Sequence, residues 1–207
     1  MILINVIQGS EAWYEARLSR FTASQFAKVM AGDSTATYKD LLTTTAGEVL
    51  SGQIEETYSN AIMERGIEME PEARREYESI FDLEVETVGF VLPDEDDPLH
   101  EWVGVSPDGF VNGDGLLEIK CPLMKTHMNY IAAGKLPNDY KWQVQGQLMI
   151  TGREWCDFMS YYPNLKPFII RIYPDKEMID QLRERLLQSV IHVKEIIKNY
   201  KLYDYLK

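Results

Sequence analysis

The chain has 207 residues, 45% hydrophobic and 26% charged, a composition that suits one soluble globular domain over 1–207 and excludes a disordered tail protein. No run approaches about eighteen apolar residues, and the apolar opening Met1–Ile7 is short, lacks a basic leader and contains Asn5. Neither a membrane span nor a secretory signal is expected, and the default address is the cytoplasm. Cys121 and Cys156 stand far apart with no CxxC pair, which fits a reduced intracellular protein and excludes cysteine zinc sites.

The net charge of −12 argues at first against nucleic acid, because binding to a polyphosphate is driven by Lys and Arg releasing counterions. The charge is unevenly spread. Residues 55–101 hold sixteen acids against Arg65, Arg74 and Arg75, a local balance of −13 that leaves +1 on the rest of the chain. That remainder can present a neutral or basic face to a phosphate backbone, while most of the acids read as a solvated helix face and loop.

Helical patterns dominate the first third. Thr22 followed by Gln25 resembles a capping box opening a short helix over Ala23–Met30, which Gly32 ends. A longer run covers about Tyr38–Leu50. Asn60–Glu68 and Glu70–Phe81 read as two helices, with Pro71 placed as the first residue of the second. The period changes at Leu83, where β-branched and aromatic residues alternate through Val91 until Pro93 and the DEDDP loop, which reads as one strand. Trp102–Val105 and Phe110–Val111 are further short strands, and the Asn112-Gly113-Asp114-Gly115 turn feeds Leu116–Cys121 as a hairpin. Helical spacing returns over Leu123–Ala133 and Tyr140–Ile150. Glu154–Tyr162 and Phe168–Tyr173 read as strands, and Asp175 caps a closing helix of about twenty-five residues by its periodicity. The order predicts an α/β (α+β) architecture, a mixed central β-sheet flanked by helices.

Ser106-Pro107-Asp108-Gly109 and, further on, Glu118-Ile119-Lys120 carry the chemistry. On a strand, Glu118 and Lys120 project from one face while Leu117 and Ile119 point into apolar packing. The hairpin folds Asp108 back beside Glu118, so two carboxylates and an ammonium meet at one sheet edge. The carboxylates repel unless a cation lies between them, and oxygen ligands select a hard ion, Mg2+ with Mn2+ as a substitute. Lys120 beside that ion is placed to orient or deprotonate a water attacking a phosphodiester. A bare PD…ExK pattern also describes an ordinary salt-bridged hairpin, so more is required.

Other segments add to it. Glu70 lies in a helix ahead of the sheet, in Gly66-Ile67-Glu68-Met69-Glu70-Pro71; Gln143 and Gln145 lie after it, in Trp142-Gln143-Val144-Gln145-Gly146-Gln147; Trp13-Tyr14-Glu15-Ala16-Arg17 and Thr22-Ala23-Ser24 stand near the N-terminus. In this order the segments W-x3-R, TAS, R-G-x3-E, SPDG, LEIKCP and QVQ resemble the phage lambda exonuclease family, the YqaJ-type viral recombinases of the PD-(D/E)xK nuclease superfamily. The resemblance runs from about Trp13 to Ile150, and the segment from Gly32 to Thr57 matches poorly.

The resemblance implies a restriction-endonuclease-like core and a magnesium-dependent 5′→3′ exonuclease that digests one strand of double-stranded DNA from 5′-phosphorylated ends. It implies as ligands of two metal ions Asp108, Glu118 and the Ile119 backbone carbonyl, with Glu70 as an additional acid. Lys120 is implied as the catalytic lysine, with Gln143 near the metals and Tyr140 beside it, and Arg17, Ser24 and Ser106 as binders of the 5′-terminal phosphate. A homotrimeric ring on duplex DNA ends and a single-strand annealing partner for phage recombination are further implications. Arg65 departs from the pattern, an aromatic being common there. The alternatives are an endonuclease on the same core and a non-catalytic DNA-end-binding scaffold.

Taken alone, Arg17 reads as a surface helix arginine paired with Glu11 or Glu15, while a helix starting near Thr22 would add free N–H groups to an anion site. His100, His127 and His192 form no metal or nucleophile pattern and are expected at the surface or partly buried. Cys121 is expected to be a packed thiol rather than a nucleophile.

Overall fold

The computed structural model describes residues 1–54 and 61–203. The first half comprises β1 (Ile2–Ile4), α1 (Glu11–Arg17), β2 (Phe21–Thr22), a 3-10 turn at Ala23–Gln25, α2 (Phe26–Val29), α3 (Ala36–Ser51) and α4 (Ala61–Phe81). The short strands β3 (Val85–Glu86), β4 (Phe90–Leu92), β5 (Val103–Gly104) and β6 (Gly109–Val111) lead into β7 (Gly115–Lys120). After it come α5 (Met124–Ala133), α6 (Lys141–Thr151), β8 (Trp155–Ser160), β9 (Phe168–Ile172) and α7 (Lys176–Lys201).

A five-stranded mixed sheet in the order β3-β6-β7-β8-β9 forms the frame. Only β7 and β8 run parallel, joined through α5 and α6, and their register sets Glu118 opposite Phe158 and Lys120 opposite Ser160. Two small ladders, β1 with β4 and β2 with β5, sit outside this sheet, and a Val91–Val105 bridge ties them together.

The alternation along β7 decides where the chemistry goes. Leu117, Ile119 and Cys121 enter one apolar cluster with Ala73 and Tyr77 of α4, whereas Leu116 packs on the other side with Val144 and Leu148 of α6 and Leu182 and Leu186 of α7. Glu118 and Lys120, two and four residues on from Leu116, therefore face α6. This side is the larger core and is closed by α7, whose Leu182, Leu186, Ser189, Val190 and Val193 recur at helical spacing behind the Asp175 cap.

On the α4 side, Asp157 is 2% exposed and fully paired. Arg171 donates to both of its oxygens at 2.9 Å and Tyr77 Oη donates to it at 2.7 Å, fixing α4 to the sheet.

Three predicted elements differ from the structure. The two helices expected at Asn60–Glu68 and Glu70–Phe81 are one helix, Ala61–Phe81, with Pro71 in its interior; the expected start at Asn60 lies outside the described residues. Pro71 breaks the bond to the Ile67 carbonyl, but Ile67 is exposed, and the packing of Ala73 and Tyr77 carries the helix through. The single strand expected from Leu83 is split into β3 and β4, which join different sheets. Its break ends at Gly89, where a Cβ would lie 2.3 Å from the Val6 carbonyl oxygen, so the chain passes too close to the β1 segment to stay in one ladder. The Thr22–Gln25 motif is present, with Gln25 Oε1 accepting from the Thr22 N–H at 2.9 Å, yet it opens only a 3-10 turn and the four residues of α2.

Two smaller points follow from burial. His127, expected at the surface or partly buried, is fully buried, bonded to Ser160 Oγ at 2.8 Å and to the Lys166 carbonyl at 3.2 Å, which makes it a bridge between α5 and the sheet. Cys121 is a buried free thiol, and burial pushes it up to about 12, as a packed residue requires.

Candidate active site

Asp108 is carried to β7 by the tight Pro107–Gly109 bend. Its N–H donates to the Leu117 carbonyl at 3.1 Å, and its Oδ2 accepts the Ile119 N–H at 2.5 Å. Glu118 is 1% exposed and receives three donors: Lys120 Nζ and Gln143 Nε2 on Oε1, both at 2.5 Å, and Gln147 Nε2 on Oε2 at 2.6 Å. Lys120 also lies 5.3 Å from the centre of the Tyr140 ring, which packs on Phe158. Glu70 reaches the same region from α4 and is paired with Arg74 at 2.5 Å, one helical turn on.

Electrostatics binds these groups into one unit. Burial, then Glu118, pushes the Asp108 carboxyl well above its usual range, with Glu70 adding to the rise. Glu70 is raised by burial and by Glu118, against the pull of Arg74 and Lys120. Burial alone would depress the Lys120 ammonium; Glu118 and Asp108 more than reverse that and hold it up. The structure thus brings together Asp108, Glu118, Lys120, Glu70, Gln143 and Tyr140. Among the described residues no three His, Cys, Asp or Glu side chains are already gathered around one point as an ion would require, because Lys120 and the glutamines hold Glu118 and the backbone holds Asp108.

The glutamines divide by face. Gln143 and Gln147, four apart on α6, both reach Glu118, whereas Gln145 turns away, donating to the Tyr173 carbonyl and accepting from the Asp175 N–H to pin the start of α7. Gln147 went unremarked at the sequence level; its i+4 spacing from Gln143 was the signal. Arg65 donates to the Cys121 and Pro122 carbonyls at 3.0 and 3.2 Å and so ties α4 to the chain just past Lys120.

A second cluster surrounds Trp13. The Arg17 guanidinium lies 3.9 Å above the indole, and the indole N–H donates to Ser106 Oγ at 2.9 Å. Arg17 also meets Thr22 Oγ1 at 3.4 Å, which in turn neighbours Ser24 Oγ at 3.4 Å. The expected pairing with Glu11 or Glu15 is absent among the described residues, and burial pushes the guanidinium down to about 10. The helix terminus expected to assist it is too short to supply a useful dipole, so the cation and the hydroxyls are what this cluster offers an anion.

A cavity of about 510 Å³ is lined by Trp13 of the second cluster and by Asp108 and Glu70 of the first, with Tyr14, Pro71 and Arg74 beside them. A larger cleft of about 850 Å³ along Glu78, Asp82, Glu84 and Glu86 shares no residue with it.

Residues 12–154 match the YqaJ-like viral recombinase domain. The chain belongs to this family. Among solved structures, the alkaline exonuclease LHK-Exo of Laribacter hongkongensis is similar at 36% identity and a TM-score of 0.84, over 93% of this chain and 96% of that one. LHK-Exo in complex with dAMP gives 35% identity at the same score and coverage. A phage-related exonuclease from Haemophilus somnus 129PT, at 16% identity and a TM-score of 0.66 over 87% of this chain and 96% of that one, shares the fold. No curated protein matches. The YqaJ-like match contains every residue named in both clusters, and the LHK-Exo similarity extends over 93% of the chain.

Proposed function

We propose that this YqaJ-like protein is a metal-dependent DNA exonuclease that digests one strand of duplex DNA in the 5′→3′ direction from 5′-phosphorylated ends, leaving 3′ single strands for recombination by annealing. The observation that carries this reading is one cavity lined both by the acids Asp108 and Glu70 and by Trp13, the indole that Arg17 stacks on and that bonds Ser106. The 36% identity with an alkaline exonuclease supports it. A complex of that neighbour with dAMP agrees with the release of mononucleotides.

The donor set fits a hard divalent ion. Burial and the neighbouring Glu118 charge raise the Asp108 and Glu70 carboxyls, a cost that a cation relieves, and every donor is oxygen. Asp108, Glu118 and the Ile119 carbonyl would hold Mg2+ or Mn2+, with Glu70 serving a second ion. Such ions supply charge neutralisation at the scissile phosphate and stabilise the attacking and leaving oxygens. Lys120 offers donors at the attacking side and orients the water. Gln143 holds Glu118, and the Tyr140 ring faces the Lys120 ammonium. Arg17 forms charge-assisted bonds to the terminal phosphate, with Ser106 held in place by Trp13 and Ser24 alongside.

A net charge of −12 disfavours retention of DNA by a single copy, so the reading includes a homotrimeric ring enclosing the duplex and a single-strand annealing partner on the 3′ strand. Light scattering is expected to report about three chains per particle; a monomer that digests kilobase duplexes without release contradicts the ring. No helix among the described residues is long and apolar enough to cross a membrane, in keeping with a cytoplasmic address in a bacterial host.

The deciding experiment is nucleotide release in Mg2+ from linear duplexes with 5′-phosphate ends, with supercoiled circles as control. Release from the linear DNA alone supports the exonuclease. Cutting of the circle supports an endonuclease on the same core, and end binding without hydrolysis supports a scaffold.

A further inference from the structure

Gln147 is fully buried, and its amide is only half used. Nε2 donates to Glu118 Oε2 at 2.6 Å, while Oε1 is buried with no hydrogen-bond partner. The orientation is forced, since exchanging the amide atoms would set an acceptor against the carboxylate. A buried glutamine that leaves one end unpaired is not explained by packing, which a leucine or methionine would serve better.

The two oxygens of Glu118 have different surroundings. The two donors on Oε1, Lys120 and Gln143, are both half-exposed and approach from the open side of the site. Oε2 is turned to the interior, with the fully buried Gln147 as its partner.

We propose that Gln147 is a positioning residue that occupies Oε2 and so makes Glu118 a one-oxygen ligand, biasing the site toward small octahedral ions and against calcium. The proposal rests on the reading of Glu118 as a metal ligand. Calcium takes six to eight oxygens and commonly a bidentate carboxylate, whereas magnesium and manganese take octahedral sets to which a carboxylate gives one atom. Freeing Oε2 allows the bidentate mode. Partners of this kind, bonded to a ligand rather than to the ion, typically alter metal affinity by about 10–100-fold.

The test is calorimetric titration of the full-length protein, without DNA, with Mn2+ and separately with Ca2+. Gln147→Met keeps the volume and removes the donor. It is expected to weaken Mn2+ binding while sparing or improving Ca2+ binding, lowering the ratio of the Ca2+ to the Mn2+ dissociation constant by about tenfold. A ratio within twofold of wild type, in a variant with unchanged near-ultraviolet circular dichroism, overturns the proposal, as does an equal loss for both ions. Gln147→Asn, too short to reach Glu118, is read by the same criterion if the methionine variant does not fold. Glu118→Gln, run in parallel, separates the two readings. Retained Mn2+ binding there removes Glu118 as a ligand, whereas its loss, together with an unchanged ratio in the Gln147 variant, removes only the role of Gln147.

Discussion

Glu118 and Arg17 belong to two clusters that reach one cavity, the first through Asp108 and the second through Trp13, and the fold treats their charges in opposite ways. Glu118 is almost completely buried and saturated, with an ammonium and two amides on its oxygens. Arg17 is half-buried and has no carboxylate partner among the described residues, resting on an indole face and one distant hydroxyl. On the acidic side burial and the Glu118 charge raise the Asp108 and Glu70 carboxyls; the Trp13 side carries a guanidinium with no carboxylate partner among the described residues. A cation relieves one strain and a phosphate the other. The structure therefore holds two complementary demands a few side chains apart, which the metal-bound DNA end of the proposed function would satisfy together.

The largest effects are expected on the acidic side. Lys120→Ala should fold, bind duplex ends in Ca2+, and lose more than about a hundredfold in hydrolysis, measured as nucleotide release. Asp108→Ala should lose as much and also lose Mn2+ binding by calorimetry. Near wild-type turnover in Lys120→Ala would remove this lysine from the chemistry and leave the acidic wall as an ordinary salt-bridged hairpin.

Next comes the Trp13 side. Charge-assisted bonds contribute on the order of 1.5–3 kcal/mol each, so Arg17→Ala, or a 5′-hydroxyl end, should slow digestion at least about tenfold. The two changes should be redundant, since each removes one side of the same interaction. Metal removal sharpens the contrast: EDTA should abolish hydrolysis yet leave wild type preferring phosphorylated ends in a binding assay. An Arg17→Ala variant that keeps the full preference for the phosphorylated end would return Arg17 to a structural role.

The smallest effect is expected at Trp13. Trp13→Phe keeps an aromatic face under Arg17 but deletes the N–H that holds Ser106, a neutral hydrogen bond contributing about 1 kcal/mol, so the rate on phosphorylated ends should fall about threefold to tenfold. No change on 5′-hydroxyl ends is expected. A similar loss on both ends would show that the indole serves folding rather than phosphate binding.

Much of the site was legible because its signals are local. The two-residue period of a strand put Glu118 and Lys120 on one face with Leu117 and Ile119 on the other, and the hairpin turn returned Asp108 to them. What escaped was set by distant neighbours. Pro71 read as a helix start because a proline N–H is missing there anyway, but packing of Ala73 and Tyr77 against β7 carries the helix past it. The break at Gly89 depends on the passage of Ile4 and Val6, some eighty residues earlier in the chain. The ladders β1 and β2 went unread because two- or three-residue strands have too little pattern to show a period.

The sequence by itself determined the chemistry on offer: two carboxylates and a lysine on one hairpin, an acid ahead of it, a glutamine helix after it, and an arginine four residues past a tryptophan. Those choices lie in residue type and short spacing, which the backbone geometry of strand and helix converts directly into shared faces. Only the tertiary structure decided which charges meet. The parallel pairing of β7 with β8 lets α6 cross over Glu118 and bring Gln143 and Gln147 to its two oxygens, and the approach of α1 to Ser106 brings Trp13, with Arg17 stacked on it, to the cavity that Asp108 also lines. These contacts join segments tens of residues apart, and their cost in chain entropy is met by the packed core on both faces of the sheet rather than by any local preference.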